Sequence, residues 1–252
     1  MSQYQLIPFD FEEAQKSNVL ITGTNSTGKT RLACNIASLL RLAGWKVIVF
    51  DNSGVWRDIS DIPYYIEVEP RQYYYMVQTL GVSAIYDISN LIPKDQQRFT
   101  DMFLQHVWDN RLSYGFEWLM VILEEAQLYA RNIRGKVAQN LLRIGSAGRN
   151  RQVRVVAITP DLALIDASLI RLCGQRYHAR LGIEENAKRK FRAYYGKEIT
   201  KTATELQTGE FLYLNNNQLT KIQAPLFEPL SQPQPYQEPQ PPKKTLLERI
   251  FG

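Results

Sequence analysis

Short apolar segments alternate along this chain with longer segments in which apolar residues recur every three or four positions. The short segments lie at residues 19–22, 47–50, 84–88, 118–123, 154–159 and 176–181. Most of them are apolar along their whole length and not only at alternate positions, which is typical of strands in a parallel sheet covered on both faces. The pattern therefore predicts a mostly parallel sheet.

The longer segments between the strands have the period of amphipathic helices. The clearest of them cover residues 28–43, 94–111 and 136–145. Gly44 stands where a helix C-cap is expected, and Pro93 suits a first helical turn. Near the end, GEFLYL and LTKIQA flank NNNQ and predict a β-hairpin. The order of elements predicts an α/β sandwich with a mostly parallel central sheet, right-handed crossovers and a C-terminal β-hairpin.

The composition changes after residue 224. Seven of the twelve prolines lie within residues 225–242, which predicts a flexible or polyproline-like linker. The segment 243–252 is a short helix candidate whose apolar residues fall on one side: Leu246, Leu247, Ile250 and Phe251. A peptide this short rarely holds a helix alone, so it is either a frayed tail or a docking peptide for a partner or a neighbouring subunit. The predicted organisation is a domain over 1–224, the linker and this tail.

The overall composition narrows the class of protein only slightly. The 252 residues carry a net charge of +5, which mildly favours an anionic partner. The two cysteines, Cys34 and Cys173, match no metal or redox spacing. The N-terminus lacks the pattern of a signal peptide, and no apolar run approaches the roughly 20 residues that a bilayer span needs. We therefore expect a cytoplasmic protein without a membrane span.

Residues 23–30 contain the clearest chemical motif of the chain. GTNSTGKT fits the P-loop pattern G-x-x-x-x-G-K-[ST] at every position, and it lies between a predicted strand and a predicted helix, a context that a chance glycine-rich turn would lack. Backbone N–H groups of such a loop surround phosphates, and the helix N-terminus adds positive potential. We expect Lys29 to contact the β- and γ-phosphates of ATP and the Thr30 hydroxyl to ligate Mg²⁺. The predicted nucleotide contacts are Gly23, Thr24, Asn25, Ser26, Thr27, Gly28, Lys29, Thr30 and Arg31.

Two carboxylates, Glu124 and Glu125, end the apolar segment WLMVIL. A buried strand that delivers acids at its carboxyl end places them beside the P-loop, at the sheet edge where ligands bind in α/β folds. We expect Glu124 to lie near Mg²⁺ and Glu125 to act as the base that orients the attacking water. The first acid of this motif is normally Asp, and Glu124 is longer by one methylene group. The alternative is a strand that runs into a solvated acidic helix start.

The order of these and further segments resembles the FtsK/HerA superfamily of P-loop ATPases, over about residues 15–225. The segments are the P-loop, VFDNSGVW, YDISNLIPKDQQRFTDMFLQHVW, VILEEAQ, GRNRQVRVVAITP and LQTGEFLYLNNNQLTKIQAP. The resemblance implies a RecA/ASCE-like P-loop NTPase fold, ATP and Mg²⁺ as cofactors, and a homo-oligomeric, hexameric ring. It also implies duplex DNA as the partner. The small size favours the genome-packaging ATPases of viruses, whose location would be the host cytoplasm.

The family carries an arginine finger shortly before the strand that follows the acid pair. In the segment LLRIGSAGRNRQVRV, the resemblance makes Arg149 the first candidate, Arg151 the second and Arg143 the next, each acting on the nucleotide of a neighbouring subunit. A solvated basic turn is the alternative for each of them. The family's next strand ends in Thr-Gln, and the Gln contacts the γ-phosphate. Pro160 occupies that position here, so Thr159 becomes the candidate sensor.

The residues that would contact DNA are less distinct. A loop after the acid pair holds three basic candidates for lining a ring pore: Arg131, Arg134 and Lys136. A second basic cluster favours a solvated helix face and holds Lys188, Arg189, Lys190 and Arg192. The tyrosine-rich segment 63–77 favours core or subunit contacts over base stacking. His106 and His178 lie in apolar surroundings, and we assign them no catalytic role.

These features predict an ATP-hydrolysing DNA translocase that serves viral genome packaging or plasmid DNA transfer. One alternative is a replication initiator or helicase loader, but a lid domain of several helices would then follow the core where the hairpin near 210–224 is predicted. A second alternative is a secretion or assembly ATPase that moves protein. Stimulation of ATP turnover by duplex DNA would separate these two motors. A metabolic kinase is disfavoured because no acceptor-site signature accompanies the P-loop.

Overall fold

A mostly parallel sheet forms the centre of the computed structural model, which describes residues 7–70, 81–110, 118–130, 139–216, 218–229 and 231–235. The strands of these residues are β1 Asn18–Thr22, β2 Lys46–Asp51, β3 Tyr64–Glu67, β4 Ala84–Asp87, β5 Leu119–Leu123, β6 Val153–Thr159, β7 Cys173–His178, β8 Glu210–Asn215, β9 Gln218–Gln223 and β10 Gln234–Pro235. Their order across the sheet is β10-β3-β4-β2-β5-β6-β1-β7-β8-β9. The strands from β10 to β7 are parallel, and β8 and β9 form an antiparallel hairpin at one edge. The predicted α/β sandwich with a C-terminal hairpin is confirmed.

Helices cover both faces of the sheet. Those described are α1 Phe11–Lys16, α2 Lys29–Leu42, α3 Trp56–Ile59, α4 Pro93–Asn110, α5 Gln139–Ala147, α6 Ala167–Arg171, α7 Glu185–Tyr195 and α8 Lys197–Glu205. Leu20 and Phe50 belong to an apolar cluster with Phe103 of α4, whereas Ile21 belongs to a second cluster with Ile36 of α2. Neighbouring strand residues therefore face opposite buried layers, which is why the strands are apolar at every position. None of the described helices combines the length and apolar character that crossing a bilayer requires.

Five of the six predicted strands begin and end within one residue of the observed ones. The strand expected at 176–181 lies instead at Cys173–His178. Its polar residue Gln175 is fully buried because its amide exchanges hydrogen bonds with the backbone of Asp10 and accepts one from Tyr213. Hydropathy cannot indicate such a position, since the partners come from other elements. The strand β3, which lies next to the edge strand β10, was not predicted, because its half-exposed side chains lack an apolar run.

The first residues of the segment expected to be a flexible linker lie against the domain. Phe227 is only 2% exposed, and α2 holds the backbone around it. Arg31 Nη1 donates to Phe227 O at 3.0 Å, and Asn35 Nδ2 donates to Pro225 O at 3.2 Å. Further on, β10 pairs with β3 through Gln234 N, which donates to Pro63 O. The predicted helical tail 243–252 lies outside the described residues.

The strand order determines which residues meet at the carboxyl edge of the sheet. β6 lies between β1, which leads into the P-loop, and β5, which leads into the acid pair. Thr22 is aligned with Thr159, and Ala157 with Leu123. The ends of β1 and β5 are therefore two strand spacings of about 4.8 Å apart. The first turn of α2 and the side chain of a glutamate after β5 together span this gap.

Candidate nucleotide site

The loop between β1 and α2 has two positions that favour glycine. Gly23 has a φ of 143°, and a Cβ there would lie 2.5 Å from the Ala179 Cβ. Gly28 has a φ of 97° at the start of α2, a conformation that other residues rarely adopt. Between them, Thr27 Oγ1 donates to Thr24 O at 2.7 Å and holds the loop closed. The spacing of the two glycines in the motif thus follows from the shape of the loop.

Lys29 is the first residue of α2, and its ammonium group lies against the loop. Its Nζ donates to Thr24 O at 2.9 Å, and only 7% of the residue is exposed. Burial lowers the pKa of Lys29, while the charges of Glu125 and Glu124 raise it. An ammonium group beside the unpaired N–H groups of a helix start attracts anionic oxygens. This position therefore suits the phosphates of a nucleotide.

The two residues predicted to hold Mg²⁺, Thr30 and Glu124, are in direct contact. Thr30 Oγ1 donates to Glu124 Oε1 at 2.8 Å, and Trp56 Nε1 donates to the other carboxylate oxygen. Burial raises the pKa of Glu124, and these two hydrogen bonds counter that effect. A hydroxyl and a carboxylate are the hard oxygen ligands that Mg²⁺ prefers, so the residues present fit this ion.

Glu125, the predicted base, has an unusual backbone conformation. Its φ and ψ are 49° and 47°, which is the left-handed region, and such a position costs a non-glycine residue on the order of 1 kcal/mol or more. The turn separates its half-exposed side chain from that of the buried Glu124. Gln127 Nε2 donates to Glu125 Oε2 and orients the carboxylate. The side chain is thus free to reach water while its charge acts on Lys29.

Two of the predicted nucleotide contacts have their polar groups engaged elsewhere. Arg31 donates to the backbone of Phe227 in the C-terminal segment. Thr159 is fully buried, and its hydroxyl donates to Asp161 O at 3.1 Å within the turn that follows β6. By contrast, Asn25 and Ser26 are exposed at the tip of the loop. The structure thus brings the lysine, the threonine and the two glutamates together but leaves no evident sensor group on Thr159.

The arginines near the start of β6 differ in their surroundings. The guanidinium of Arg143 stacks on the Trp108 ring at 4.1 Å, and that of Arg151 lies 5.3 Å from the same ring. Arg154 is only 1% exposed and donates to Gln15 O at the end of α1. Arg149 is exposed, in a 3₁₀ turn over Gly148–Arg151. These contacts leave Arg149 the most available of the candidates for an encounter with another subunit.

Arg149 lies at the sheet edge opposite to its own P-loop. The 3₁₀ turn directly precedes Val153, the first residue of β6, whereas Thr159 at the end of β6 is aligned with Thr22 before the loop. The length of β6, at about 3.3 Å per residue, comes to roughly 20 Å. An arginine side chain cannot span this distance. Arg149 therefore cannot reach a nucleotide on its own P-loop, and it could contact only one bound to another subunit.

A cleft of about 760 Å³ opens beside the loop. It is lined on one side by Thr24 and Asn25, and on the other by residues that follow β6 and β7, including Asp161, Arg180 and Lys188. The volume lies within the roughly 300–1,000 Å³ that is usual for ligand pockets. A nucleotide seated on the loop would therefore have room at this edge.

The two histidines and the basic clusters differ in how near they lie to this site; Lys188 of the second cluster lines the cleft, and His178 contacts Thr22 directly before the loop. His178 is buried, with Thr22 Oγ1 at 2.7 Å and Tyr195 Oη at 2.9 Å from its ring nitrogens, and burial lowers its pKa to about 3. His106 is on α4, and burial lowers its pKa also. Of the second basic cluster, Lys190 donates to Ile165 O. The basic loop with Arg131, Arg134 and Lys136 lies outside the described residues, as do residues 71–77 of the tyrosine-rich segment.

Three contacts of the site were not predicted from the sequence. Trp56 binds Glu124, Gln127 binds Glu125, and Gly209 N donates to Thr27 O at 3.0 Å. The segments that carry Trp56 and Gly209 belong to the family resemblance, but neither residue has a local sequence feature that indicates its partner. Each partner lies far away along the chain or, for Gln127, across a turn whose shape the sequence does not show.

The strand order, the P-loop and the acid-bearing strand together define the fold of a P-loop ATPase. Among solved structures, the genome packaging NTPase B204 from Sulfolobus turreted icosahedral virus 2, in complex with AMPPCP, matches with a TM-score of 0.60 at 14% identity, over 86% of this chain and 99% of that chain. VirB4 of Thermoanaerobacter pseudethanolicus matches with a TM-score of 0.61 at 11% identity, over 82% of this chain and 89% of that chain.

A third similar structure is EssC (ATPases 2 and 3) from Geobacillus thermodenitrificans, with a TM-score of 0.51 at 11% identity, over 86% of this chain and 41% of that chain. Scans of the sequence against protein-family models and against curated proteins give no match. At these low identities the similarity shows the fold. It confirms the P-loop ATPase fold that the resemblance implies.

Proposed function

We propose that this protein hydrolyses ATP to move duplex DNA through a homo-oligomeric ring, in viral genome packaging or in plasmid DNA transfer. The observation that carries the proposal is the contact between Thr30 and Glu124, with Lys29 close enough to both glutamates to feel their charge. The fold is shared with a genome packaging NTPase that has been solved with AMPPCP and with ATP-γS. The hexameric form of the ring follows from the resemblance to the FtsK/HerA superfamily.

The residues of the site have complementary tasks in ATP hydrolysis. The loop N–H groups and Lys29 hold the phosphates, because both present positive charge to them. Thr30 and Glu124 would hold Mg²⁺, which neutralises charge on the β- and γ-phosphates when it is bound. Glu125 orients the attacking water and accepts its proton, and Gln127 keeps its carboxylate turned in one direction.

The position of Arg149 links hydrolysis to assembly. Since the arginine is roughly 20 Å from its own site, it completes only the site of a neighbouring subunit. A single chain would then lack the charge that stabilises the transition state. In a closed ring, each subunit supplies an arginine to one neighbour and receives one from the other, which requires a head-to-tail interface.

The DNA-binding part of the proposal rests on the basic loop with Arg131, Arg134 and Lys136, which follows the acid strand directly in sequence. A basic loop directly after the acid strand would couple ATP hydrolysis at Glu125 to the binding of DNA phosphates in the pore. The hairpin β8–β9, which follows α8, disfavours the helicase-loader alternative. A motor that moves protein has the same nucleotide site and stays the second candidate.

The test is ATP turnover with and without duplex DNA, for the wild type, Glu125→Gln and the exposed surface control Glu198→Gln. Duplex DNA should raise the turnover of the wild type and of the control, and Glu125→Gln should show none. Turnover that is robust but unaffected by duplex DNA would favour the protein-moving alternative. Wild-type turnover in Glu125→Gln would refute the assignment of the base.

A further inference from the structure

The carboxylate of Glu124 is held from two sides, and one of its two donors lies outside the P-loop and the acid strand. Thr30 donates to Oε1, and the indole N–H of Trp56 donates to Oε2. Trp56 is fully buried, and Glu124 is only 6% exposed. An indole N–H can only donate, and an ionised carboxylate can only accept. Since little of Glu124 is exposed, the Thr30 hydroxyl and the Trp56 indole together fix the direction in which its carboxylate points.

The indole is itself placed by a turn that begins at Asp51, the last residue of β2. Asp51 Oδ1 accepts from Ser53 N at 3.0 Å and from Gly54 N at 2.9 Å, and Oδ2 accepts from Trp56 N at 2.8 Å. Gly54 has a φ of 74°, which lets the chain turn back toward the neighbouring strand β5. The segment VFDNSGVW thus carries the indole from the end of one strand to the carboxylate at the end of the next.

We propose that Trp56 is a positioning residue for the Mg²⁺ side of the nucleotide site, and that it compensates for glutamate at a position where the motif normally has aspartate. Glutamate has one more rotatable bond, so a free Glu124 side chain would lose more rotamer entropy on meeting the ion. The indole removes that freedom before binding and leaves Oε1 directed at Thr30. This inference rests on the proposal that the P-loop binds a nucleotide together with Mg²⁺.

The first test replaces Trp56 with phenylalanine, which keeps an aromatic ring and removes the donor. Binding of a fluorescent ATP analogue is measured by anisotropy, once with Mg²⁺ and once with EDTA. The Kd with Mg²⁺ should rise about 10-fold, the worth of one hydrogen bond to a charged group, and the Kd in EDTA should stay unchanged. Trp45→Phe removes a buried indole that stacks on Trp118 instead, and it should change neither value. Equal weakening in both conditions would overturn the proposal, because the indole would then only support the fold.

A second variant keeps the inference testable if Trp56→Phe does not fold. Glu124→Asp shortens the acid and withdraws it from the indole without opening a cavity at Trp56. If Trp56 positions a longer acid, this change should also weaken binding with Mg²⁺ and leave binding in EDTA unchanged. If the indole is irrelevant, aspartate should bind Mg²⁺–nucleotide as well as glutamate or better, which would overturn the inference alone. Wild-type protein that binds no nucleotide would instead refute the proposed function and this inference with it.

Discussion

Replacement of Arg149 with alanine should separate a residue that acts on a neighbouring subunit from one that is only a solvated surface charge. At the roughly 20 Å that separate Arg149 from its own P-loop, a unit charge contributes about 0.8 kcal/mol at an effective dielectric constant of 20. This energy corresponds to about a fourfold change in rate. An arginine in contact with the γ-phosphate is worth about 10³–10⁵ in other P-loop enzymes. The two roles therefore differ by at least two orders of magnitude.

The assay measures steady-state ATP turnover of Arg149→Ala together with its nucleotide affinity. We expect turnover to fall by about 10³ or more, with little change in affinity, because the lost charge acts mainly on the transition state. Arg171→Ala is the matched control, since that arginine is also exposed and has no proposed role. Turnover of the wild type should also rise steeply with protein concentration as subunits assemble.

Mixing two inactive proteins gives the decisive result. Arg149→Ala keeps its P-loop, and Lys29→Ala keeps its arginine, so mixed rings contain some interfaces with one intact partner from each. Those interfaces should recover part of the activity that neither variant has alone. A loss of only about fourfold in Arg149→Ala, the electrostatic limit at this distance, would show that Arg149 does not contact the nucleotide of a neighbouring subunit. So would mixed oligomers that form and stay inactive, and Arg151 and Arg143 would then be tested.

Three further predictions concern the nucleotide site, the C-terminal segment and a buried histidine. Lys29→Ala should abolish hydrolysis and weaken nucleotide binding, whereas Glu125→Gln should keep binding and lose turnover; equal loss of binding in both, by titration with an ATP analogue, would contradict the division of roles. Phe227→Ala should lower the free energy of unfolding by about 3–5 kcal/mol, while the exposed Leu226→Ala should change it by no more than about 0.5 kcal/mol, as measured by denaturant unfolding. His178 has a folded pKa of about 3, below its unfolded value of 6.5. Its contribution to the free energy of unfolding is therefore present above pH 6.5 and is lost as the pH falls, because the unfolded state then binds a proton that the folded state does not. From pH 7 to pH 5 this loss should be about 2 kcal/mol, and His178→Gln should lack it.

Much of the fold is encoded in local pattern. The apolar runs predict the strands because a central parallel strand is buried on both faces, which makes every position apolar. The glycines of the P-loop are required by backbone angles and by the close approach of Ala179. The hairpin near the end is likewise local, since its two strands are joined by a short polar turn.

The proline-rich composition of residues 225–242 did not indicate that Phe227 packs against the domain. A proline-rich segment has little tendency to form a helix or a sheet of its own, but Phe227 is buried by residues of the second apolar cluster. The backbone carbonyls of Phe227 and Pro225 accept hydrogen bonds from Arg31 and Asn35, which lie nearly two hundred positions earlier in the chain. No local property of the segment indicates those partners.

Sequence pattern alone predicts the α/β class, the P-loop with Lys29 and Thr30, and the acid strand, because each depends on backbone shape or burial within a few residues. The folded chain was needed to show that Trp56 holds Glu124, that Arg143 and Arg151 lie against Trp108, and that Arg149 lies far from its own P-loop. These facts depend on the order of strands across the sheet. That order brings together side chains from distant parts of the chain, and it is stabilised by burial of the whole sheet and not by any one segment.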